Sequence, residues 1–596
     1  MPPKRPSGFS LIETIIALAL FIIIASGGIL AFISSLNMNR TSQENTQAVS
    51  LAQEGIEAVR SLRNQSFANL LPGTYGLGIS GGQWTFAGSS DNIGKFSRQV
   101  IIAPVSRDAG GTIVPSGGTP DADTMLATVR VKWDFTPGVS RQIDNAFYFT
   151  NWRKLTGSSS DGLLLYSDGT VTPKWRNYSG SADNFSSENT AITSANGASY
   201  IIKTSPQKKE IIAGYVDSSG LLTILCYDGT VWNQEWTVAV GGNGSTRRFD
   251  IAYESTSGKS LVLYSTNSSS TNELQYRSKP ASAGCGLGNW SLPVNFDPLR
   301  TSGTVLWVKM VSDHRRGQNN IAALWADSTS ALSAAIWNGS VWVNEPASVT
   351  ETSLEFVTTP QDVDDFDLAY ESVSGDLMLV WANSAGKRNV NGVRYRLCNG
   401  GTPACTWDPV ITPPTFSNDA TNLSLSANPN TDELIFASIG HVSSRLQAGY
   451  WNGSVWTNTT NLDNSCATPD VGTKYISTAW LTSGSTSRSL IVYQDSNAAN
   501  IGWIIGTGGN FTIQTDFNPT PLFAVPQKWY QLSSDPKNKD RALLFVADAG
   551  NRLHAKRIVM TAVPGFTWTN SDLSSALETS LSQNITNPFA YAYWQN

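Results

Sequence analysis

Histidine is almost missing from this chain: His314, His441 and His554 are the only three in 596 residues. They stand far apart and form no H-E-x-x-H pattern, which argues against a zinc hydrolase. No G-x-x-x-x-G-K-S/T loop is present to cradle a nucleotide, and no G-x-S-x-G elbow of the hydrolase kind, on a strand-to-helix turn, is evident. Cysteine is sparse and odd in number: Cys226, Cys285, Cys398, Cys405 and Cys466. Their spacing is wrong for a compact zinc site. A basic surplus is also lacking. Residues 156–596 hold 28 Lys and Arg against 36 Asp and Glu. Nonspecific nucleic-acid binding depends on basic contacts to phosphate. The balance disfavours nucleic acid as a partner, though a local basic groove would still allow it. Long apolar runs are absent too, with one exception at the start.

That exception is Phe9 to Ile33, FSLIETIIALALFIIIASGGILAFI, preceded by Lys4-Arg5-Pro6-Ser7-Gly8. About 20 apolar residues suffice to cross a bilayer. A secretory signal peptide has a shorter apolar core and a small-residue cleavage site behind it, and no such site follows Ile33. A plain membrane anchor explains the length and the basic flank. It does not explain Glu13, the one charge in the tract, because a carboxylate in lipid is costly.

The string G-F-S-L-I-E, Gly8 to Glu13, resembles the start of a type IV prepilin or pseudopilin. The resemblance implies a leader of residues 1–8, cut after Gly8 by a prepilin peptidase, with methylation of the new N-terminus at Phe9. It implies that Glu13 meets the free amino group of a neighbouring subunit's first residue when pilin subunits pack through their helices. A buried carboxylate needs such a partner. Gly27-Gly28 inside the tract departs from many pilins, which carry a proline further on. Two glycines weaken a helix by about 1 kcal/mol each and would permit local bending.

Beyond Ser34 an apolar stripe continues at Val49, Ala52, Ile56, Val59 and Leu62, the spacing of an amphipathic helix. A spine helix is expected over residues 9–67, ended by Pro72 and the five glycines between Asn69 and Gly82. Residues 68–155 read as a small β head, with strands over Phe96–Val105, Met125–Phe135 and Arg141–Thr150 and a loop over Gly110–Gly118. The run Q-E-G-I-E-A-V-R, Gln53 to Arg60, and the closing T-N-W-R also resemble minor pilins. Together these imply an α+β pilin-like part.

Residues 156–161, TGSSSD, form a polar linker. The remainder, 162–596, repeats. RFDIAYESTSGKSLVLYS (Arg248–Ser265) matches DFDLAYESVSGDLMLVWA (Asp365–Ala382), and AAIWNGSVWVN (Ala334–Asn344) matches AGYWNGSVWTN (Ala448–Asn458). Trp236, Trp290, Trp342, Trp407, Trp456, Phe511 and Trp568 close successive units at intervals of 49–65 residues. Units of that size with about four short strands mark a β-propeller. Seven units are complete. An eighth arises if FAYAYWQ (Phe589–Gln595) supplies a first strand and LLLYSDGTVTPKW (Leu163–Trp175) a third and fourth. Eight blades are expected, with seven left open. Stacked β-sandwiches need near 100 residues each, so the period disfavours them. The repeated aromatics read as blade packing.

Chemistry within the repeats is thin. Ser167-Asp168-Gly169 and Tyr227-Asp228-Gly229 only gesture at the turns of sialidase-like propellers. The densest acidic cluster is Asp362, Asp364, Asp365 and Asp367. It could hold Ca²⁺, but it lacks the spaced D-x-D-x-D-G loop, and a solvated acidic edge is the simpler reading. Cys398 and Cys405 flank NGGTPA and are expected to pair in an oxidising compartment. The partners of Cys226, Cys285 and Cys466 stay open. The whole implies a non-catalytic minor pilin, inserted first in the bacterial cytoplasmic membrane and then carried outside in a filament. Its propeller would meet a surface, glycan or protein near the tip. A displayed glycan-processing enzyme and a pseudopilin of a type II-like secretion system are the alternatives.

Overall fold

The computed structural model describes residues 10–596 except 66, 81, 109–111, 151–160, 171, 194–196, 243, 300, 316, 348–349, 353, 355–364, 384–391, 412–418, 441–442, 470–471, 485, 497–498, 520–522, 562–564, 569–575, 583–586 and 596. The chain divides into two units, Met1–Lys154 and Leu155–Asn596.

In the first unit one helix, α1, runs Leu11–Gln65. At 1.5 Å per residue it is about 80 Å long. It passes Gly27 and Gly28 without interruption, and a Cβ on either would touch nothing. Its first half is exposed on every side, and by length and composition it is the one helix able to cross a membrane among the described residues. Its second half buries four of the five expected stripe residues: Ala52, Ile56, Val59 and Leu62, with Ala48 beside them, join Phe96, Val100, Val129, Val131 and Trp133 of the sheet in one core. Val49, placed on the stripe by sequence, is exposed instead.

The sheet places Gly73–Tyr75 beside Phe96–Arg107, then Thr119–Thr136, then Val139–Thr150. Polar ties fix the helix on it. Glu44 accepts from Trp133 Nε1 at 2.9 Å and from Arg40 Nε at 2.8 Å, and also meets Lys95. Arg98 reaches Leu51 O at 3.1 Å and Asp91 at 2.8 Å. Gly55 permits the close approach, since a Cβ there would lie 2.7 Å from Val129 Cγ1. Two details differ from expectation. Leu77–Ser80 and Gln83–Phe86 form a hairpin in the glycine-rich stretch. Ile113–Val114, within the expected loop, pair with Ser106 and Arg107.

The second unit is a propeller of eight blades, each an antiparallel sheet with its first strand innermost. Blade 1 sets Phe589–Tyr593 inside, then Gly162–Tyr166 and Lys174–Ser179, with short outer pairings at Asn184–Phe185 and Asn189–Thr190. The inner strands of blades 2 to 8 are Gly197–Thr204, Phe249–Tyr253, Val305–Ser312, Phe366–Tyr370, Thr421–Ala427, Ile476–Ser483 and Gln527–Ser534. The C-terminal strand therefore closes the ring, pairing Phe589 with Tyr166 and Tyr593 with Gly162. Closure removes the open edges that would otherwise invite aggregation. The hairpin Leu163–Trp175 supplies the second and third strands of its blade, one place inward of expectation. A D-G-T-V turn can join any antiparallel pair, so the motif identifies a hairpin and leaves its rank to the pairing partner.

Second strands such as Ile211–Asp217 and Ile321–Asp327 are buried at every residue, because neighbouring blades cover both faces. Hence they read as unbroken apolar runs and not as alternation. A side chain at one recurring position ties each of several inner strands to the next. Asp250 Oδ2 accepts from Met310 N at 2.7 Å, Asp367 Oδ2 from Leu425 N at 3.0 Å, Ser424 Oγ from Thr478 N at 3.1 Å, Ser477 Oγ from Leu532 N at 3.0 Å and Gln531 Oε1 from Tyr591 N at 3.2 Å.

Candidate functional site

Gly8 and Phe9 lie outside the described residues. Glu13 lies on the first turn of α1, where its Oε2 accepts from Ser10 N at 3.0 Å. Ser10-Leu11-Ile12-Glu13 thus forms half of a capping box, which satisfies a donor that a helix start leaves orphaned. In the single chain the carboxylate has this local use. It stays exposed at the helix end, free to meet a second donor.

The repeated motifs of the ring resolve into a clasp between blades. Glu254, just past the first strand of blade 3, accepts from Trp337 Nε1 at 2.7 Å; Trp337 opens the W-N-G turn of blade 4. Glu371 of blade 5 accepts from Trp451 Nε1 of blade 6 at 2.5 Å. Ser255 and Ser372 donate to Asp313 O and Asn428 O of those same next blades, at 2.6 and 2.7 Å. The Y-E-S-x-S-G and W-N-G-S-V-W motifs are therefore two halves of one contact. Within the turns, Asn338 Oδ1 accepts from Ser340 N and Val341 N, both at 3.0 Å. Asp228 Oδ1 accepts from Thr230 N and Val231 N, both at 2.8 Å. An Asx turn needs only that oxygen, which is why Asn and Asp interchange there. Gly339 and Gly453 take φ of +95° and +90°, where a side chain would be strained.

The two clasps differ in one charge. Lys259 lies 3.3 Å from Glu254, while the matching position beside Glu371 is Asp376. Burial pushes the Glu371 carboxyl up. Its bonds from Ser374 and Trp451 pull it down, and Asp432 and Asp376 push it up again, leaving it at about 7.

Other residues singled out by sequence also do structural work. Of the acidic cluster, Asp362 and Asp364 lie outside the described residues. Asp365 Oδ1 accepts from Thr421 Oγ1 at 2.8 Å, and Asp367 ties blade 5 to blade 6 as above while sitting 3.6 Å from Lys309 Nζ. Cys398 and Cys405 form a disulfide. Cys226 and Cys285 form a second, linking the third strand of blade 2 to a loop of blade 3. Sequence left that pairing open, because its partners stand 59 residues apart in neighbouring blades. Cys466 is buried and free, and burial holds its thiol protonated. Glu210 with Cys226 and Cys285 is the one group of possible metal ligands gathered among the described residues. Both sulfurs are in the disulfide, and Glu210 is held by Lys279 and Lys208 at 2.7 and 2.8 Å, so these residues do not fit a metal ion. His554 is buried against Phe523 and lies 3.2 Å from Asp548. Burial pushes Asp548 up, but bonds from His554, Ala524 N and Arg552 outweigh it and bring the carboxyl to about 2. His441 lies outside the described residues.

None of the described tryptophans is exposed, and no aromatic of the ring is exposed among the described residues. Trp342 stacks on Phe296 at 5.4 Å, and Trp236 packs edge-on to Trp290 at 5.6 Å. The aromatics are blade packing, as the repeat implied, and an aromatic sugar platform is not displayed on the described ring surface.

What remains is a cavity of about 640 Å³ where the inner strands of blades 1, 2, 3, 4 and 8 end. Small residues, Ala252, Ala592 and Ser533, keep it open. Among the described residues of its lining, only Lys203 and His314 can carry a positive charge, and none is a carboxylate or an arginine. Neither side chain has a hydrogen bond or ion pair among the described residues. His314 is exposed at the mouth; desolvation and the Lys203 ammonium hold its imidazolium below the ordinary value, against the pull of the Asp313 carboxylate. The adjacent Asp313 is turned to Arg315, 2.7 Å away. Sequence could not find this site, because Lys203 and His314 carry no motif and are 111 residues apart.

Residues 3–29 match the family described as the prokaryotic N-terminal methylation motif. No curated protein matches the chain. Among solved structures, BP39L lectin from Burkholderia pseudomallei is 14% identical, over 63% of this chain and 99% of its own, with a TM-score of 0.41. The six-bladed fucose-binding lectin of Aleuria aurantia is 14% identical, over 60% of this chain and 95% of its own, with a TM-score of 0.29. AofleA from Arthrobotrys oligospora, as an arginine-to-alanine mutant, is 11% identical, over 65% of this chain and 96% of its own, with a TM-score of 0.30. Overlap this loose carries no inference about a ligand.

Proposed function

We propose that this chain is a minor type IV pilin that carries its propeller at or near the tip of a filament, for adhesion or surface recognition. The observation that carries the reading is the methylation motif of residues 3–29 running straight into one unbroken helix, Leu11–Gln65. The helix is greasy and exposed at first, then amphipathic where it packs on its own sheet. In this reading residues 1–8 are the leader, a prepilin peptidase cuts between Gly8 and Phe9, and the helix passes from the cytoplasmic membrane into the filament core. A ring of eight blades would be bulky to repeat along a thin shaft, which favours the tip.

The ring binds and does not catalyse. Glycoside hydrolysis needs a pair of carboxyl groups flanking one bond, and among the described residues that line the mouth cavity there is none. Immunogold microscopy of native filaments with antibody to residues 162–596 tests the placement. Label at filament ends is expected. Label along the whole shaft, or on cells without filaments, would overturn it.

A further inference from the structure

The mouth has an unusual balance of donors and acceptors. Thr204 Oγ1 donates to Tyr593 O at 2.9 Å, Ser255 Oγ to Asp313 O at 2.6 Å, Ser312 Oγ to Tyr253 O at 2.7 Å and Ser534 Oγ to Trp480 O at 2.9 Å. All four line the cavity. Each spends its one proton on a carbonyl, so its oxygen is left to the cavity as an acceptor. Beyond these, the described lining offers donors at Lys203, His314 and Ser533, whose Oγ accepts from Gln531 Nε2 at 3.3 Å, with the amide of Gln595 at the rim.

A fitting ligand therefore brings many hydroxyl donors and one anionic group. We propose that the mouth binds a sugar acid, its carboxylate held by Lys203 and His314 and its hydroxyls donating to Thr204, Ser255, Ser312 and Ser534. A charge-assisted bond to an ammonium is shorter and stronger than a neutral one, so Lys203 selects the acid over its neutral counterpart. The volume is in the range of small-ligand pockets, about 300–1,000 Å³. A peptide brings a carbonyl for every amide and would leave most of these carbonyls without donors. Nucleic acid brings many phosphates to a mouth with one ammonium, Lys203, and one imidazole among its described lining residues, in a domain of 28 basic against 36 acidic residues. This deepens the reading of the ring as a binding module and rests on it.

The test is calorimetric titration of the full chain in detergent micelles with trigalacturonate. Parallel titrations use a sialyl trisaccharide, the methyl ester of trigalacturonate, inorganic phosphate and an acidic hexapeptide. One of the two sugar acids is expected to bind, with at least tenfold weaker binding for Lys203→Met and for the ester. Lys203→Arg should restore binding. Failure of both sugar acids to bind overturns the proposal. So does a Lys203→Met chain with unchanged affinity, an ester that binds as tightly, or phosphate or peptide that binds better than either acid. If Lys203→Met lowers the melting temperature, His314→Gln is read in its place. Antibody labelling of filaments does not depend on the cavity. Label at the ends with no sugar binding sinks the site alone, and sugar binding without labelled filaments sinks the display.

Discussion

Replacing Glu371 by glutamine should flatten the dependence of ring stability on pH. Both glutamates are buried, 2% and 1% exposed, and both accept from a tryptophan of the next blade. Their companions differ, Asp376 in one clasp and Lys259 in the other. Glu371 titrates at about 7 in the fold against 4.5 ordinarily. Between those values the folded chain holds a proton that the unfolded chain has released. Stability then falls as pH rises through the window. The contribution is fully present below about pH 4.5 and gone above about pH 7.

At about 1.4 kcal/mol per pH unit, the full span is about 3 kcal/mol. Glutamine keeps an acceptor for Trp451 and never ionises. Glu371→Gln should therefore match the parent below pH 5 and exceed it by about 1–3 kcal/mol at pH 8. Glu254→Gln loses its ion pair with Lys259 and should cost about 1–2 kcal/mol throughout. The assay is urea unfolding of the full chain in detergent, followed by tryptophan fluorescence from pH 4.5 to 8.5. An unchanged slope in Glu371→Gln would refute the reasoning.

Removing the disulfides should rank by loop length. Loops closed over 59 and 7 residues correspond to about 4 and about 2.5 kcal/mol in the chain-entropy account. Cys226→Ala/Cys285→Ala should thus lower the urea midpoint more than Cys398→Ala/Cys405→Ala does; the reverse order would contradict it. Gly55→Ala places a methyl 2.7 Å from Val129 Cγ1 and should destabilise the head by about 1–3 kcal/mol, with Val129→Ala in the same chain restoring most of it on thermal melting. Deleting residues 589–596 removes the closing strand and bares the edge at Gly162–Tyr166; aggregation on gel filtration is expected, and a monodisperse chain would show that closure is dispensable. Glu13→Ala loses its bond to Ser10 N, a small cost in a helix this long. It should leave membrane insertion and cleavage at Gly8 intact while reducing incorporation into filaments, measured by immunoblot of sheared filaments; full incorporation would sink the proposed pairing.

The sequence was legible where structure is local. A spine helix shows because apolar residues recur every three to four positions, and burial of Ala52, Ile56, Val59 and Leu62 follows from that spacing. Blades show because each unit repeats its own turns, and an Asx turn needs one oxygen and one glycine at fixed places. Val49 escaped the pattern because a stripe is wider than the sheet that covers it. Ile113–Val114 escaped because two residues of pairing leave no periodicity to read.

The chain alone determined a prepilin-like start, a long helix, a small sheet and a ring of repeated four-stranded units, since all of these are written in short-range spacing. Tertiary structure decided what spacing cannot carry. It made Phe589–Tyr593 the innermost strand of the blade that also holds Gly162–Tyr166, by pairing residues more than 400 positions apart. It joined Cys226 to Cys285 and showed that two separate motifs are halves of one clasp. It also brought Lys203 and His314 to one mouth, because closing a ring sets the ends of its inner strands around a common axis whatever their distance along the chain.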